Sequence, residues 1–385
     1  MRIVYAHRTR GTGVEAVHIG QIVQGMRKLG HGVEMLSPVG DFIEHVSPRV
    51  EGNGATQGRL AGLGARLPEI LFELLEIAYS VKASIEGLRR FPAGSIHGVY
   101  ERYAIFGFAG LWLARRRAVP LVLEVNYTCL TPLVRPRSRL LLPLAKWLDR
   151  RLFHGATHLL AVSSFLKQQL IDEFGVDESR VTVVPNAADP AVFDPEKVLR
   201  QGSAAMPGVV IGFVGGFYPW HGLDLLLDAF TSVAKDYPQA TLLLIGDGPM
   251  RPALLRRVEA SGLKDRVQMP GKIAHNQLAP AIARFDIGVM PDSNTYGSPM
   301  KIFEYMAMAV PVIVPDYAPL QDVVTDGVQG RIFRRRDAPQ LAACIAEMMA
   351  NPAERARMGQ RARQAIVSRH NWLSNASLAI NRISA

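Results

Sequence analysis

Several features that would assign this sequence to a particular class of protein are missing from it. It has two cysteines, Cys129 and Cys344, in 385 residues. Two cysteines are too few for a disulfide framework or a cysteine-rich metal cluster, so we expect a reducing compartment. No run of about 18 apolar residues is present, so we expect no membrane-spanning segment. Residues 1–6 are too short for a signal peptide and lead into His7-Arg8, which favours a cytoplasmic protein.

Metal-ligand patterns are missing as well. The sequence contains no Asp-x-Asp pair and no histidine–cysteine cluster with zinc spacing. Paired carboxylates are the usual ligands of Mg²⁺ and Mn²⁺, and clustered cysteine and histidine are those of Zn²⁺. We therefore expect neither a metal nor any other cofactor.

Positive charge is concentrated in one part of the chain. The net charge is +10, and residues 102–151 hold ten arginines or lysines against two acidic residues. Such a segment suits anionic lipid headgroups, a diphosphate-bearing acceptor or nucleic acid, and the alternative is a solvated helical face. Nucleic acid is disfavoured because aromatic residues are not interleaved with the basic ones. We expect a protein that can lie peripherally on the inner face of an anionic membrane, with Arg135, Arg137 and Arg139 among its contacts.

The length and the alternation of apolar runs with helical patterns predict the architecture. A chain of 385 residues exceeds one core, so two domains are expected. Strands alternating with helices favour parallel sheets. The fold class is therefore α/β, with two Rossmann-like, doubly wound domains that face a cleft where ligands bind. We place them at residues 1–190 and 205–365, interpret the proline-containing, polar region 185–208 as the interdomain linker, and expect a helix at about 366–385 to pack back on the first domain.

One predicted helix has an ambiguous apolar face. Residues 138–153 read as a helix that carries Leu140, Leu141, Leu142, Leu144 and Trp147. We expect these side chains to lie in the core of the first domain. The alternative is that they add apolar contact to a membrane beside the basic residues.

The most informative stretch is residues 297–307, a tight turn that enters a helix. A helix N-terminus presents unpaired backbone N–H groups and a positive dipole end, which suit phosphate, and Lys301 adds a cation. Glu304, one turn further on, can accept two hydrogen bonds from the vicinal hydroxyls of a ribose. Phosphate and ribose together indicate a nucleotide. The alternative is an ordinary helix with one cation and one capping glutamate.

A second glycine-rich loop, Gly11-Thr12-Gly13, follows the first predicted strand. With Ala16 it matches the G-x-G-x-x-A fingerprint of dinucleotide-binding domains. Those domains need an acidic residue at the end of the second strand, and that strand here ends in Leu36-Ser37-Pro38. The sequence therefore disfavours a dinucleotide site.

Several motifs in a fixed order give the chain a family resemblance. In the second half they are Gly212-Phe213-Val214-Gly215-Gly216, His221 to Phe230, Gly246-Asp247-Gly248-Pro249, Pro270-Gly271-Lys272, Ser298 to Ala307 and Asp326 to Gly330. In the first half they are Ala161 to Ser164 and Val184 to Asp189. The chain resembles the retaining glycosyltransferases of the GT-B fold, family 4.

This resemblance implies roles for named residues. The C-terminal domain would bind a sugar nucleotide and the N-terminal domain the acceptor. Donor-binding positions are Gly215, Gly216, Gly246, Lys272, Ile273, Ser298, Pro299, Met300 and Glu304. Catalytic positions are Lys301, His221 and Asn126. Acceptor-side positions are Gly11, Thr12, Gly13, Glu101, Arg102 and Glu124.

The sequence departs from the family pattern at four of these places. Tyr296 stands where the first glutamate of the family's E-x7-E motif falls, and Asn126 replaces a histidine. Gly216 and His221 stand where the family has an arginine and a lysine. We therefore expect Lys301 and His221 to share the diphosphate charge, with Lys272 or backbone amides as further support. Glu124 can pair with Arg102 or orient the acceptor.

The expected reaction is transfer of a sugar from a nucleotide-diphosphate donor to a hydroxyl of a glycan or lipid-linked acceptor, in polysaccharide or glycolipid synthesis. The enzyme would be a metal-independent, retaining hexosyltransferase. One alternative is an epimerase or phosphorylase acting on sugar phosphates. Another is a catalytically weak, nucleotide-sugar-binding subunit of a polysaccharide assembly complex.

Overall fold

A computed structural model describes residues 1–9, 13–41, 68–132, 140–200 and 208–385. These residues form two compact units, Met1–Val184 together with Trp372–Ala385, and Pro185–Asn371. Each unit has its own six-stranded sheet, and every strand pair in both sheets is parallel. The predicted α/β class with two doubly wound sheets is confirmed.

The sheet of the first unit has the order β2-β1-β3-β4-β5-β6. Its strands are β1 (Arg2–Ala6), β2 (Gly32–Leu36), β3 (Gly98–Arg102), β4 (Leu121–Val125), β5 (His158–Ala161) and β6 (Val181–Val183). The helices between them are α1 (Gly13–Lys28), α2 (Glu69–Arg90), α3 (Ala109–Arg117), α4 (Leu142–Gly155) and α5 (Ser164–Asp172). The predicted capping serine is present at the start of α5, where Ser163 Oγ accepts a hydrogen bond from Leu166 N at 3.3 Å.

The sheet of the second unit has the order β12-β11-β10-β7-β8-β9. Its strands are β7 (Val209–Val214), β8 (Ala240–Ile245), β9 (Val267–Gly271), β10 (Ile287–Val289), β11 (Val312–Pro315) and β12 (Gly330–Phe333). Its helices are α6 (Pro195–Arg200), α7 (Leu223–Asp236), α8 (Arg251–Ala260), α9 (Leu278–Ile282), α10 (Met300–Ala307), α11 (Ala318–Gln321), α12 (Ala338–Ala350) and α13 (Pro352–Ser368).

The direction of winding reverses once in each sheet, and this positions the candidate sites. In the second unit the reversal lies between β7 and β10, and in the first it lies between β1 and β3. Ligands of doubly wound sheets bind at the carboxyl ends of the strands that flank such a reversal. The near-continuous apolar sequence of β7 fits this architecture, because central parallel strands are buried on both faces.

The predicted linker is wrong. Residues 185–200 belong to the second unit and include α6. Phe193 and Val198 are buried in the same core as Ile302 and Phe303, and Arg363 donates to the carbonyl of Phe193. The prolines and polar residues of this stretch suggested an exposed connection, but two apolar side chains anchor it.

The C-terminal helix is divided differently from the prediction. Residues 366–371 lie in the second unit, and the last helix, α14 (Trp372–Ser384), lies in the first. α14 packs closely on α1, because a Cβ added at Gly25 would lie 2.8 Å from Ala376 Cβ.

The prediction that α4 buries its leucines and tryptophan is wrong for the most prominent of them. Leu140 is 58 % exposed and Trp147 is 54 % exposed, and Leu144 is exposed as well. Leu141 and Leu142 are half-buried. Arg135, Arg137 and Arg139 lie outside the described residues. Within the described chain no helix combines the length and the apolar character that crossing a bilayer requires.

Candidate functional site

Three loops of the second unit are held together at the carboxyl ends of β7, β8 and β9. Gly215 N donates to the carbonyl of Ile245 at 2.9 Å, and Gly246 N donates to the carbonyl of Gly271 at 2.9 Å. These bonds continue the parallel ladders past the last strand residues. They bring the predicted donor-binding glycines Gly215 and Gly246 together beside the reversal point of the sheet.

Glycine is required at this place by both conformation and space. Gly215 has φ +151° and Gly246 has φ +141°, a region that side chains other than glycine rarely adopt. A Cβ at Gly246 would lie 1.9 Å from the Gly215 carbonyl oxygen, and one at Gly215 would lie 2.6 Å from Lys301 Nζ. The Lys301 ammonium therefore lies directly against the Gly215 backbone, in the space that a side chain at position 215 would occupy.

Lys301 occupies the first turn of α10, and its side-chain Nζ is buried. Its Nζ lies 4.3 Å from the centre of the Phe213 ring, and among the described residues it has no hydrogen-bond partner. Burial lowers the pKa of Lys301 to about 7, and Glu304 opposes this shift. A buried amine with three unused donors is costly, so the position points to an anionic ligand.

Glu304 lies three residues further along α10, on the same face of the helix. Its side chain is buried, and burial raises the pKa of the Glu304 carboxyl to about 7 against the opposing effect of Lys301. A cation and a carboxylate thus lie one turn apart beside the glycine loops. This is the pairing that the sequence predicted for phosphate and ribose.

His221 lies in the short 3₁₀ turn of Pro219–His221 that follows the Gly215-Gly216 loop. Its Nδ1 donates to the carbonyl of Gly216, which fixes the orientation of the ring. Burial, reinforced by the charge of Lys301, lowers the pKa of His221 to about 4. His221 is therefore neutral in the ligand-free protein at neutral pH, and its sharing of the diphosphate charge with Lys301 stays a prediction.

The remaining predicted donor residues surround this centre. Ser298 is buried, Pro299 is the N-cap of α10, and Met300 is its first residue. Lys272 follows β9 with an exposed side chain, and Ile273 is half-buried against the core. Four of them lie on the loops that follow β9 and β10, and Met300 begins the helix that the second of these loops enters.

Sequence reasoning missed the residues that hold these loops in place. Asn186 donates from its backbone N to Ser298 Oγ at 3.0 Å and from Nδ2 to the Ser298 carbonyl at 2.5 Å. Tyr305 OH accepts from Val214 N at 2.6 Å and so fixes α10 against the end of β7. Asn186 belongs to the motif Val184 to Asp189, which falls in the predicted linker, so the sequence marks the residue but not its partner Ser298.

Asp292 is a further buried polar residue that the sequence did not reveal. It lies just after β10, at the reversal point of the sheet, and accepts a hydrogen bond from Tyr317 OH at 2.8 Å. A Cβ at Gly222 would lie 2.7 Å from Asp292 Cβ. Asp292 therefore packs against the loop that carries His221.

In the first unit the Glu124 carboxylate contacts two further residues to which the sequence assigns a role, Arg102 on the acceptor side and Asn126 among the catalytic positions. Glu124, on β4, lies 3.0 Å from His18 Nε2 and accepts from Tyr100 OH at 2.7 Å. It also accepts from Arg102 and from Asn126 Nδ2. Burial acts to raise the pKa of Glu124, but His18 and Arg102 outweigh it and hold the pKa well below its usual range. The predicted pairing of Glu124 with Arg102 is confirmed.

The other predicted acceptor-side residues do not contact Glu124 in the described structure. Glu101 is buried and accepts from Gly110 N at 3.1 Å, so it serves the N-terminus of α3. This placement does not support a contact between Glu101 and an acceptor. Gly13 begins α1 with φ +69°. Gly11 and Thr12 lie outside the described residues.

Two family models match the chain, one in each half. The model described as glycosyl transferase 4-like domain matches residues 13–187. The model described as glycosyl transferases group 1 matches residues 208–351. The second match contains every residue of the glycine-loop and α10 site described above except Asn186.

Curated relatives and solved structures agree with these matches. The D-inositol 3-phosphate glycosyltransferase of an Arthrobacter species is 27% identical over 83% of this chain and 77% of its own length. A GDP-mannose-dependent phosphatidylinositol monomannoside mannosyltransferase of Mycobacterium tuberculosis is 25% identical over 60% of this chain and 63% of its own. The structure of HepE from Anabaena in complex with UDP has a TM-score of 0.72 and 20% identity, with 100% of both chains covered.

Proposed function

Because this chain belongs to the group 1 glycosyltransferases of the GT-B type, we propose that it is a retaining, metal-independent hexosyltransferase. Its donor is a nucleotide-diphosphate sugar and its acceptor is a hydroxyl of a glycan or lipid-linked molecule. The main observation in support of the donor site is the Lys301 Nζ. It is buried beside the glycine loops, has no hydrogen-bond partner among the described residues, and lies one helical turn from Glu304.

In this proposal the second unit binds the donor. Lys301 and the backbone amide of Gly216 contact the diphosphate, and Glu304 accepts hydrogen bonds from the ribose hydroxyls. HepE binds UDP and the M. tuberculosis relative is named for GDP-mannose, which supports a nucleotide donor without fixing its base. Lys272, exposed on the β9 loop, is a second cation for the diphosphate.

Transfer requires little covalent chemistry from the protein. The diphosphate leaves from the same face that the acceptor hydroxyl attacks, and a leaving phosphate oxygen takes the acceptor proton. The protein positions the two substrates and stabilises charge on the leaving group. The absence of an Asp-x-Asp pair from the sequence supports stabilisation by Lys301 and backbone dipoles in place of a metal ion.

The first unit serves the acceptor in this proposal, through Arg102 and Glu124, and it contributes Asn126 as a catalytic residue. The M. tuberculosis relative is named for a phosphatidylinositol-based acceptor, which supports a lipid-linked one here. The basic segment 102–151 supports a place at the inner face of an anionic membrane.

A catalytically weak, nucleotide-sugar-binding subunit is the second candidate. Tyr296, Gly216 and His221 favour it, because each replaces a charged residue of the family pattern. This candidate binds the donor tightly but neither transfers nor hydrolyses the sugar.

A ligand panel tests the donor proposal. At least one of the UDP-, GDP-, ADP- and dTDP-sugars should raise the melting temperature of the protein. A ligand that binds only the folded state stabilises that state by RT ln(1 + [L]/Kd). Release of the free nucleoside diphosphate from that donor then separates an enzyme from a binding subunit. A panel without any stabilising nucleotide sugar, combined with turnover of a sugar phosphate, would assign the chain to the epimerase or phosphorylase class.

Donor binding at pH 8 should take up close to one proton. Lys301, with its pKa lowered to about 7, is mostly neutral in the free protein at pH 8 and becomes charged beside a diphosphate. Affinity should accordingly fall as pH rises above about 7. Calorimetry in buffers of different ionisation enthalpy measures the uptake.

Two variants identify the group that takes up this proton. Lys301→Arg should abolish the uptake because arginine is already charged. Glu304→Gln should retain it, because Glu304, with a pKa of about 7, is already ionised at pH 8 and contributes no proton. Equal uptake in wild type and Lys301→Arg would assign the proton to another group.

A further inference from the structure

The amphipathic character of α2 is inverted. The residues that it buries are Glu73, Ser80, Ala83, Ser84 and Gly87. The residues that it exposes include Ile70, Leu71, Leu74, Leu75, Val81 and Ile85. A helix on the surface of a soluble domain normally turns its apolar stripe inward. Contiguous exposed apolar surface of this kind marks a site of contact with a membrane or another molecule.

The exposed side of α4 has a related composition. Leu144 and Trp147 are exposed there, and Leu140 is exposed just before the helix begins. The charged side chains exposed on α4 are Lys146, Arg150 and Arg151, whereas its one acidic residue, Asp149, is buried and accepts from Tyr103 OH at 2.7 Å. α4 thus presents apolar side chains and positive charge without an exposed acid.

The two surfaces adjoin. Leu141 N donates to Glu73 Oε2 at 3.0 Å, which joins the start of α4 to the first half of α2. Exposed leucines adjoin both partners of this hydrogen bond, because Leu140 precedes Leu141 and Leu74 follows Glu73 in the sequence. We call the combined surface of Ile70, Leu71, Leu74, Leu75, Leu140, Leu144 and Trp147 the α2–α4 face.

We propose that the α2–α4 face inserts into the interfacial layer of an anionic lipid bilayer. Tryptophan is enriched at that depth because its ring is apolar and its N–H is polar. Arg151 lies over the Trp147 ring, with its guanidinium carbon 5.1 Å from the ring centre, so a headgroup-binding cation adjoins the apolar contact. Apolar side chains flanked by lysine and arginine are the pattern of helices that lie in the plane of a membrane.

The charges of α4 favour lipid over a second copy of the chain. In a twofold interface formed by this face, Lys146, Arg150 and Arg151 of both copies would enter one contact, and neither α4 has an exposed acid to compensate them. Anionic headgroups neutralise the same residues. The proposal deepens the membrane association proposed above by naming the surface, and it does not depend on which donor is bound.

Vesicle flotation tests the proposal on the full chain without any nucleotide. Wild type should float with vesicles of phosphatidylcholine that contain about one third phosphatidylglycerol, and much less with pure phosphatidylcholine. Leu144→Glu combined with Trp147→Glu should lower the bound fraction about tenfold or more, because both apolar anchors are lost. Leu255→Glu, at an exposed leucine of α8 in the second unit, is the matched control and should bind like wild type.

A fluorescent label reports insertion directly. Cys129 and Cys344 are both buried, so Leu144→Cys can be labelled selectively with an environment-sensitive dye. Its emission should shift to shorter wavelength with anionic vesicles, and that of a Leu255→Cys label should not. Arg150→Glu with Arg151→Glu should remove the salt-sensitive part of binding, since salt screens headgroup attraction but not apolar insertion.

Several outcomes would overturn the proposal. They are flotation of the Leu144→Glu, Trp147→Glu variant at the wild-type level, absence of wild-type binding to either vesicle, and an unshifted Leu144→Cys label. A wild-type dimer that the double variant dissociates, with no vesicle binding, would assign the face to a second copy. Failure of the membrane proposal is distinguished from failure of the proposed function by the thermal stabilisation that nucleotide gives to the same variants. That stabilisation should equal the wild-type value, because the proposed donor site lies in the second unit.

Discussion

Replacement of Lys301 by alanine should lower turnover of the nucleotide-sugar donor by about a hundred- to a thousandfold, the range seen when one preorganised donor to a developing anion is removed. Charge on the leaving diphosphate grows toward the transition state, so the cation contributes more to turnover than to ground-state binding. The burial of Lys301 Nζ between the Phe213 ring and the Gly215 backbone strengthens this electrostatic effect.

The measurement is steady-state release of nucleoside diphosphate, together with calorimetric affinity for the corresponding nucleoside monophosphate. Turnover should fall much further than monophosphate affinity. Lys235→Ala, at an exposed lysine of α7 in the same unit, is the matched control and should behave like wild type. Equal turnover in Lys301→Ala and wild type would remove Lys301 from the reaction and transfer its proposed role to Lys272 or the backbone amides.

The elements of this site that the sequence predicts are those set by local pattern. The apolar run of β7 and the turn into α10 are local features. The spacing of Lys301 and Glu304 places both on one helical face wherever the helix lies. Glycine at positions 215 and 246 is also readable, because only a special backbone conformation or close approach explains it there.

Features that depend on tertiary packing were not predictable. Asn186 contacts Ser298 across 112 residues of sequence, and nothing local to Asn186 shows this partner. The titration of His221 follows from its burial and from the nearby Lys301, which sequence spacing alone does not give. A histidine that replaces a family lysine therefore suggested a cation where the fold provides a neutral ring.

The exposed apolar residues of α2 and α4 show a second kind of information that the sequence pattern does not contain. Helical periodicity gives the positions of the apolar stripe but not the direction in which it points. In α2 the small residues Ala83, Ser84 and Gly87 face inward, where Gly87 permits close approach of Leu36 and Leu113. The larger residues are thereby turned to the surface. The small residues at this close contact thus set an orientation of α2 that the hydrophobic pattern alone does not give.

Replacement of Glu304 by alanine should weaken binding of the nucleoside diphosphate about tenfold or more, since each hydrogen bond to a charged group contributes about 1.5–3 kcal/mol. The loss should be specific to the ribose. Wild type should discriminate against the 2′-deoxy form of its nucleotide, and Glu304→Ala should bind the two forms about equally. Isothermal titration of both nucleotides with both proteins measures this.

Glu304→Ala should not unfold the second unit, and the pKa of Glu304 gives the reason. Its folded-state pKa is raised to about 7 by burial, above the ordinary value of an exposed glutamate. The stability linked to this carboxyl is therefore full at low pH and is lost as pH rises through about 7. At pH 8 Glu304→Gln, which cannot ionise, should be at least as stable as wild type in thermal unfolding. Two results would contradict this role: a Glu304→Gln variant that melts at a lower temperature than wild type at pH 8, and a Glu304→Ala variant that still discriminates against the deoxy nucleotide. Either result would make Glu304 a structural residue of α10, and other residues would then have to bind the ribose.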